Sequence, residues 1–485
     1  MASMQKIYRW TLLSSLPIGA SGCPGDGTPQ TESQGESGTS AAAAASSSTE
    51  GTASSEPTGG ASAVTTTASW SSGSSSGATT TPASSSSTAA QPTTSTASTS
   101  NSETDGTTLT TGGNELCEQF IVHQGDLIVT DATDLDELTC IVEITGKLRI
   151  EGTTSLSSFP QLGNLKTVGD EVLIGGNAAL TDVHGLAGLT EVTGAWSRLT
   201  LYQNPALVDI TGLHALKVVD AIVIMDCDAL SSLAGIEGAI VGVKQKASWL
   251  ALIDLDALES LDSLAALADF SATLKIRGCD KLTDISMLEL VLDPQGTFLL
   301  EVSDNPALVD LTGLEAIAHA TEVQIINNDS LKDLSGLDSL EATTAKFIIQ
   351  GNEKLQDLNG LGKLEKVEYL AVHNNAQLID LGGLDSLKTV TLALLVGSCT
   401  EGGNAALSNL HGLESVETIV GLGVDSNTSM TSLMGLDQLT SLALLFVRNN
   451  PGVSSVEAKA LATTFMAAPT ICNNAGPPED CPCAP

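Results

Sequence analysis

The chain has 485 residues, with 57 carboxylates against 20 lysines and arginines and a net charge of −37 at pH 7. That excess excludes a nucleic-acid binder, whose phosphate contacts need cations, and it disfavours adsorption of the polypeptide itself to anionic lipid. From Asn114 on the chain is long enough to bury a large core.

Residues 1–23 have the layout of an export signal: Lys6 and Arg9, an apolar stretch from Trp10 to Ile18, then small residues. The apolar stretch is broken by Ser14, Ser15 and Pro17 and is too short to span a bilayer as a retained helix. Ala20-Ser21-Gly22-Cys23 resembles the lipobox of bacterial lipoproteins, with Ala20 where Leu is usual. The resemblance implies a lipidated Cys23 as the mature N-terminus. It also implies sorting to the outer membrane, because Pro24 stands where Asp would signal retention. The other reading is an ordinary cleaved leader in which Cys23 is incidental.

Residues 24–113 are almost entirely Ser, Thr, Ala and Gly, with scattered Pro, seven carboxylates and no Lys or Arg. They carry too little apolar surface to offset the entropy of ordering, which predicts a disordered tether with a mean span of roughly 50 to 55 Å. Gly73-Ser74-Ser75-Ser76-Gly77 matches a hydrolase string, but nothing around it reads as a strand or a helix, so it carries no chemistry. Seven of the 57 carboxylates and two of the 20 cations precede Asn114, which leaves 50 against 18 in the rest, a net −32.

From 114 to 456 the chain repeats itself. Leu199-Thr200-Leu201-Tyr202-Gln203-Asn204-Pro205-Ala206-Leu207 returns as Leu300-Glu301-Val302-Ser303-Asp304-Asn305-Pro306-Ala307-Leu308. The apolar-x-apolar trio has the period of a strand with one buried face. The next marked position runs Asn177, Asn204, Cys227, Leu255, Cys279, Asn305, Asn328, Asn352, Asn375, Cys399, Asn427 and Asn450. An interior Asn there can satisfy backbone groups where the chain bends, and Cys is a small buried substitute. A further column, from Asp182 to Ser455, is always Asp, Ser or Asn, the residues that cap turns by accepting backbone N–H bonds. A carboxylate row could instead bind calcium, but Ser interrupts it and capping needs no metal.

The pattern resembles the receptor L-domain type of leucine-rich repeat. That family implies a β-rich solenoid, here a right-handed coil of about 14 turns, longer than a single L-domain and about 65 Å from end to end at the strand spacing. It further implies a disulfide-closed N-terminal cap, for which Cys117 and Cys140, flanking a first strand at Leu127-Ile128-Val129, match. Residues 457–485 read as a C-terminal cap. Ser454-Ser455-Val456-Glu457 offers a capping box, Val456 to Ala467 has helical spacing, and Cys472, Cys481 and Cys483 tie down the tail. Cys472 pairs with Cys481 or, alternatively, with Cys483. Cys227, Cys279 and Cys399 are expected interior and free, being whole turns apart.

No P-loop, dinucleotide fingerprint or H-E-x-x-H string occurs, and His184, His214 and His411 fall in inter-turn segments, so no enzyme, metal or cofactor is expected. Asn328 and Asn427 lie in glycosylation sequons but are predicted interior. What remains is the outer face of the strand sheet. Arg198, Tyr202, Met225, Trp249, Ile253, Lys275 and Arg277 fall on it in successive turns, among residue types that dominate binding hot spots, together with Thr200 and Val223. A looser group is Lys346, Tyr369, His373, Phe446 and Arg448. The expectation is a monomeric, lipid-anchored surface protein that presents this face to a protein or glycan ligand; a structural envelope component without a discrete ligand is the alternative.

Overall fold

The computed structural model describes residues 117–194, 197–241, 248–264, 272–290, 292 and 297–475. The leader, Cys23, the tether, Cys481 and Cys483 lie outside the described residues. The repeats belong to one compact unit, Thr110–Pro485.

The unit is a parallel β-solenoid of about 14 turns. One strand per turn joins a 16-stranded sheet, paired in parallel with the equivalent strand of the next turn. Inward-facing residues stack by type: Leu199 and Leu201 lie against Ile222 and Ile224, and these against Leu250 and Leu252, all fully buried. The core is accordingly one continuous aliphatic column with Phe159, Phe298 and Phe347 as its largest members.

A second, six-stranded parallel sheet flanks the first half, beginning at Ile121–His123 and ending at Ile240–Val241. The sequence reading missed this sheet, and so placed the first strand at Leu127–Val129, six residues late. After Ile121–His123 and Ile141–Ile144 its strands are only two residues long, too short for a period to register. In the second half the two sheets merge. His319–Ile326, Thr389–Val396 and Thr418–Asp425 are eight residues each, and the register slips within them, as at Val390/Ala393, where the chain turns the corner.

The asparagine column is the seam of the coil. From Asn305 to Asn450 it runs unbroken, every member 0% exposed, and it extends to Asn474. Asn352 is representative. Its Nδ2 donates to the Ile325 carbonyl at 3.0 Å, and its Oδ1 accepts from the Asn328 backbone N–H at 2.9 Å. Burial of Asn328 and Asn427 puts both sequons out of reach. The column breaks at Cys227, Leu255 and Cys279, as the sequence indicated. There the Leu255 N–H finds the Gly278 carbonyl instead, at 3.1 Å.

Cys399 corrects the sequence reading. Asn404 occupies the interior position, donating to Val372 O and accepting from Asn375 N. Cys399 sits half-buried in a small excursion closed by a bridge between Ser398 and Gly402. It is disulfide-bonded, not free, whereas Cys227 and Cys279 are free and buried as expected. The five extra residues between strand and Asn shifted the spacing, and a chemically acceptable Cys stood where the Asn was due.

The capping column behaves as expected. Asp310 accepts from Thr312 N, Asp357 from Asn359 N and Asn409 from His411 N, each two residues on. At the last turn the cap is Ser454, as the expected capping box had it, and not Ser455 of the column; the helix runs Ser455–Phe465, two residues short of the expected end, because Met466 turns left-handed. Glu457 does not complete a capping box; its carboxylate reaches back to Ser432 Oγ and Leu433 N of the preceding turn. Nor does the solenoid stop at 456: Ala468–Cys472 adds a further strand to the large sheet.

At the other end Cys117 and Cys140 form the expected disulfide, with Cα atoms 5.5 Å apart. Cys472 is disulfide-bonded, and its pairing with Cys481 or Cys483 lies outside the described residues.

Candidate functional site

The outer face of the large sheet is read from the strand register. Tyr202, Met225, Ile253 and Arg277 form one line across four adjacent strands. Arg198, Ala221, Trp249 and Thr273 form a second, and Thr200, Val223, Ala251 and Lys275 a third between them. All seven predicted residues therefore share one face and lie on neighbouring strands.

The middle line is not the exposed surface that strict alternation suggested. Thr200 is 7% exposed, Val223 3% and Ala251 0%, because larger residues on the flanking lines close over them. What solvent meets is an apolar surface of Met225, Ile253 and Trp249, bordered by the charged groups. The Nε1 of Trp249 and the Oγ1 of Thr200 are buried without a hydrogen-bond partner.

The polar members are held in place by carboxylates that sequence reasoning did not name. Arg198 donates through Nε to Glu171 Oε1 at 2.9 Å, and Lys147 Nζ reaches the other oxygen at 3.1 Å. Burial works against the charge on Glu171, yet Arg198 and Lys147 hold its carboxyl below the usual range. Lys275 pairs with Glu301 at 2.8 Å and Arg277 with Asp254 at 3.2 Å. Tyr202 lies across Gly175 of the neighbouring strand, where a Cβ would collide with its ring, and donates its hydroxyl to Glu151 Oε1 at 2.7 Å. Burial and that bond push the phenol up to about 12. A signal for these partners existed: each acid lies in register with its base or within one or two turns of it, but reading it requires the pairing first.

The looser second group divides in two: Lys346 lies directly beside Tyr369 on the adjacent strand, which also carries His373, while Phe446 and Arg448 share another. Two strands, Thr389–Val396 and Thr418–Asp425, separate Tyr369 from Phe446. Lys346 pairs with Glu322 at 2.7 Å, and Arg448 pairs with Asp425 at 2.7 Å while lying over the Phe446 ring. His373 is buried at 7% exposure, which drives its imidazole down to about 4.

The turn histidines stand outside this face. His184 is exposed, its Nδ1 2.9 Å from Asp182 and its Nε2 3.4 Å from the Thr211 hydroxyl. That hydroxyl itself donates to Asp209 at 2.6 Å. Among the described residues no three groups are placed to hold a metal ion, and no helix is long and apolar enough to cross a membrane. A shallow depression lined by Ala462, Met466 and Pro469 lies at the C-terminal cap, away from the seven-residue face.

No protein-family model and no curated protein sequence matches the chain. Among solved structures it is similar to the plant peptide hormone receptor RGFR1 in complex with RGF2, at 14% identity and a TM-score of 0.26, over 73% of this chain and 61% of that one. It is also similar to TLR13 in a complex with ssRNA13, at 15% identity and a TM-score of 0.20, over 70% of this chain and 63% of that one. The chain thus spans less than two thirds of either structure, and the likeness concerns the leucine-rich-repeat-like coil alone.

Proposed function

We propose that this protein is a non-enzymatic binding or adhesion protein, anchored in the outer membrane through a lipid on Cys23. On this reading residues 24–113 hold the solenoid, as a monomer, away from the envelope. The solenoid then presents the face around Met225, Trp249 and Ile253 to a protein or glycan ligand.

One observation carries the reading. Four adjacent strands expose an apolar surface, framed by side chains already locked by Glu151, Glu171, Glu301 and Asp254. Locked side chains lose little further entropy on binding, which favours affinity. A sheet surface spread over four strands suits a macromolecule better than a small substrate.

The test is capture of envelope, matrix or host-surface components by the protein and by a variant with Ala at Tyr202, Trp249 and Arg277. A ligand retained by the wild type and lost by the folded variant supports the face. Identical capture by both rejects it, and a surface-integrity defect on deletion would then favour a structural envelope role. Palmitate incorporation lost in Cys23→Ser tests the anchor.

A further inference from the structure

The apolar face has one strongly acidic border. Asp226 and Asp254 directly follow Met225 and Ile253, and both hold a left-handed backbone at the strand's end. Two residues further along each turn stand Asp228, Asp256 and Asp280, all exposed. Against these five carboxylates, Arg277 pairs with Asp254, and Lys281 leans away towards Glu259 at 3.8 Å. Burial together with Asp254 and Asp228 raises the carboxyl of Asp226, and burial with Asp280, Asp228 and Asp254 raises that of Asp256. Among the described residues Arg277 and Gln203 only partly offset this repulsion.

We infer that the partner of this face is a cationic amphipathic segment of another protein, lying along the solenoid axis with its apolar stripe on Met225, Trp249 and Ile253 and its basic residues over Asp228, Asp256 and Asp280. This rests on the binding reading above and narrows it. Successive turns are about 4.8 Å apart, and a helix repeats about every 5.4 Å. One basic residue per helical turn therefore meets one carboxylate per solenoid turn over the three turns involved. At the opposite border Glu171 is shared by Lys147 and Arg198, and Lys147 also lies 3.8 Å from Asp170. An acidic or neutral ligand would leave the carboxylate row unmatched.

The probe is an 18-residue amphipathic Leu/Lys peptide carrying a fluorophore, titrated against the full chain, beside a Leu/Glu peptide with the same apolar stripe. The wild type is expected to bind the first and not the second, with an affinity that falls as salt rises. Asp228→Asn, Asp256→Asn and Asp280→Asn combined should weaken binding at least tenfold and flatten the salt dependence. Met225→Ala with Ile253→Ala should weaken it while leaving the salt dependence steep. The three aspartates are exposed and Met225 and Ile253 half-buried, and unchanged thermal midpoints would exclude misfolding as the cause.

Equal binding of both peptides, binding of neither, or an unaffected Asn variant overturns the inference. So does calorimetric binding of calcium alone that the Asn variant loses, with no peptide binding. The two readings separate cleanly. If natural-ligand capture is lost in the Tyr202, Trp249 and Arg277 variant but kept in the Asn variant, the face stands and its cationic partner falls.

Discussion

Replacing Asn352 by Ala tests the seam directly. The side chain accepts from Asn328 N at 2.9 Å, donates to Ile325 O at 3.0 Å and is 0% exposed. Truncation strands two buried backbone groups, at about 1–3 kcal/mol each, so a central value near 4 kcal/mol is expected. At about 1.4 kcal/mol per decade, the local opening equilibrium should rise by a factor of at least ~100 even if water partly fills the gap. Because a solenoid need not unfold in one step, hydrogen exchange is the right assay. Protection of the Asn328 amide and of strand Lys346–Gln350 should collapse while that of Leu148–Glu151 stays. Asn352→Cys should recover part of the loss. At Cys227 the sulfur accepts from Asn204 and the thiol lies 3.4 Å from Met225 O, so Cys can stand in the column. A change of less than threefold at Asn328 in the Ala variant, or a Cys variant no better than Ala, would refute the reasoning.

Two further outcomes follow from the pKa shifts. His373 sits at about 4 when folded, below the roughly 6.5 of an unfolded imidazole. The unfolded chain takes up the proton first, so stability present above pH ~6.5 declines as pH falls towards ~4, by at most about 3 kcal/mol. His373→Gln should flatten the decline between pH 6.5 and 5, above most carboxylate titration; an identical slope in the variant argues against a neutral buried ring. Gly175→Ala should displace the Tyr202 ring, break its bond to Glu151 and return the phenol from about 12 towards 10. Ultraviolet titration reads this, and an unshifted tyrosine curve would contradict the placement of the ring.

The coil, its interior column and its capping column were legible because each obeys a rule that one turn's residues can reveal alone. Asn305 needs no partner to look anomalous in an apolar run, and Asp310 announces its own cap. Glu315 and Asp338 accept from Gly313 N and Gly336 N, a second local cap in the Gly-Leu-acid step that the sequence reading did not name. The rest of what stayed hidden depends on two turns at once. Gly336 takes a left-handed backbone, and a Cβ there would collide with the Leu311 carbonyl of the turn before. The burial of Thr200, Val223 and Ala251 likewise depends on the bulk of residues beside them, and Cys399 misled because an insertion preserved residue type while moving position.

The break in the asparagine column then takes on a different meaning. Between Asn204 and Asn305 three turns give up the seam that every other turn from Asn305 onward keeps, and the six-stranded sheet ends in the same stretch, at Val241. These turns carry Met225, Trp249, Ile253, Lys275 and Arg277 on the outer face and the cluster of carboxylates on its border. Departures from a fold's own rules concentrate where something other than stability is selected. Thiols at Cys227 and Cys279, raised by burial to about 11 and 12, are inert at neutral pH and supply no chemistry to explain their presence. The departure is therefore best understood through the surface above it. Under the binding proposal, a seam without the asparagine bonds would let these three strands adjust to a ligand, while the ladder from Asn305 to Asn474 fixes the turns that follow.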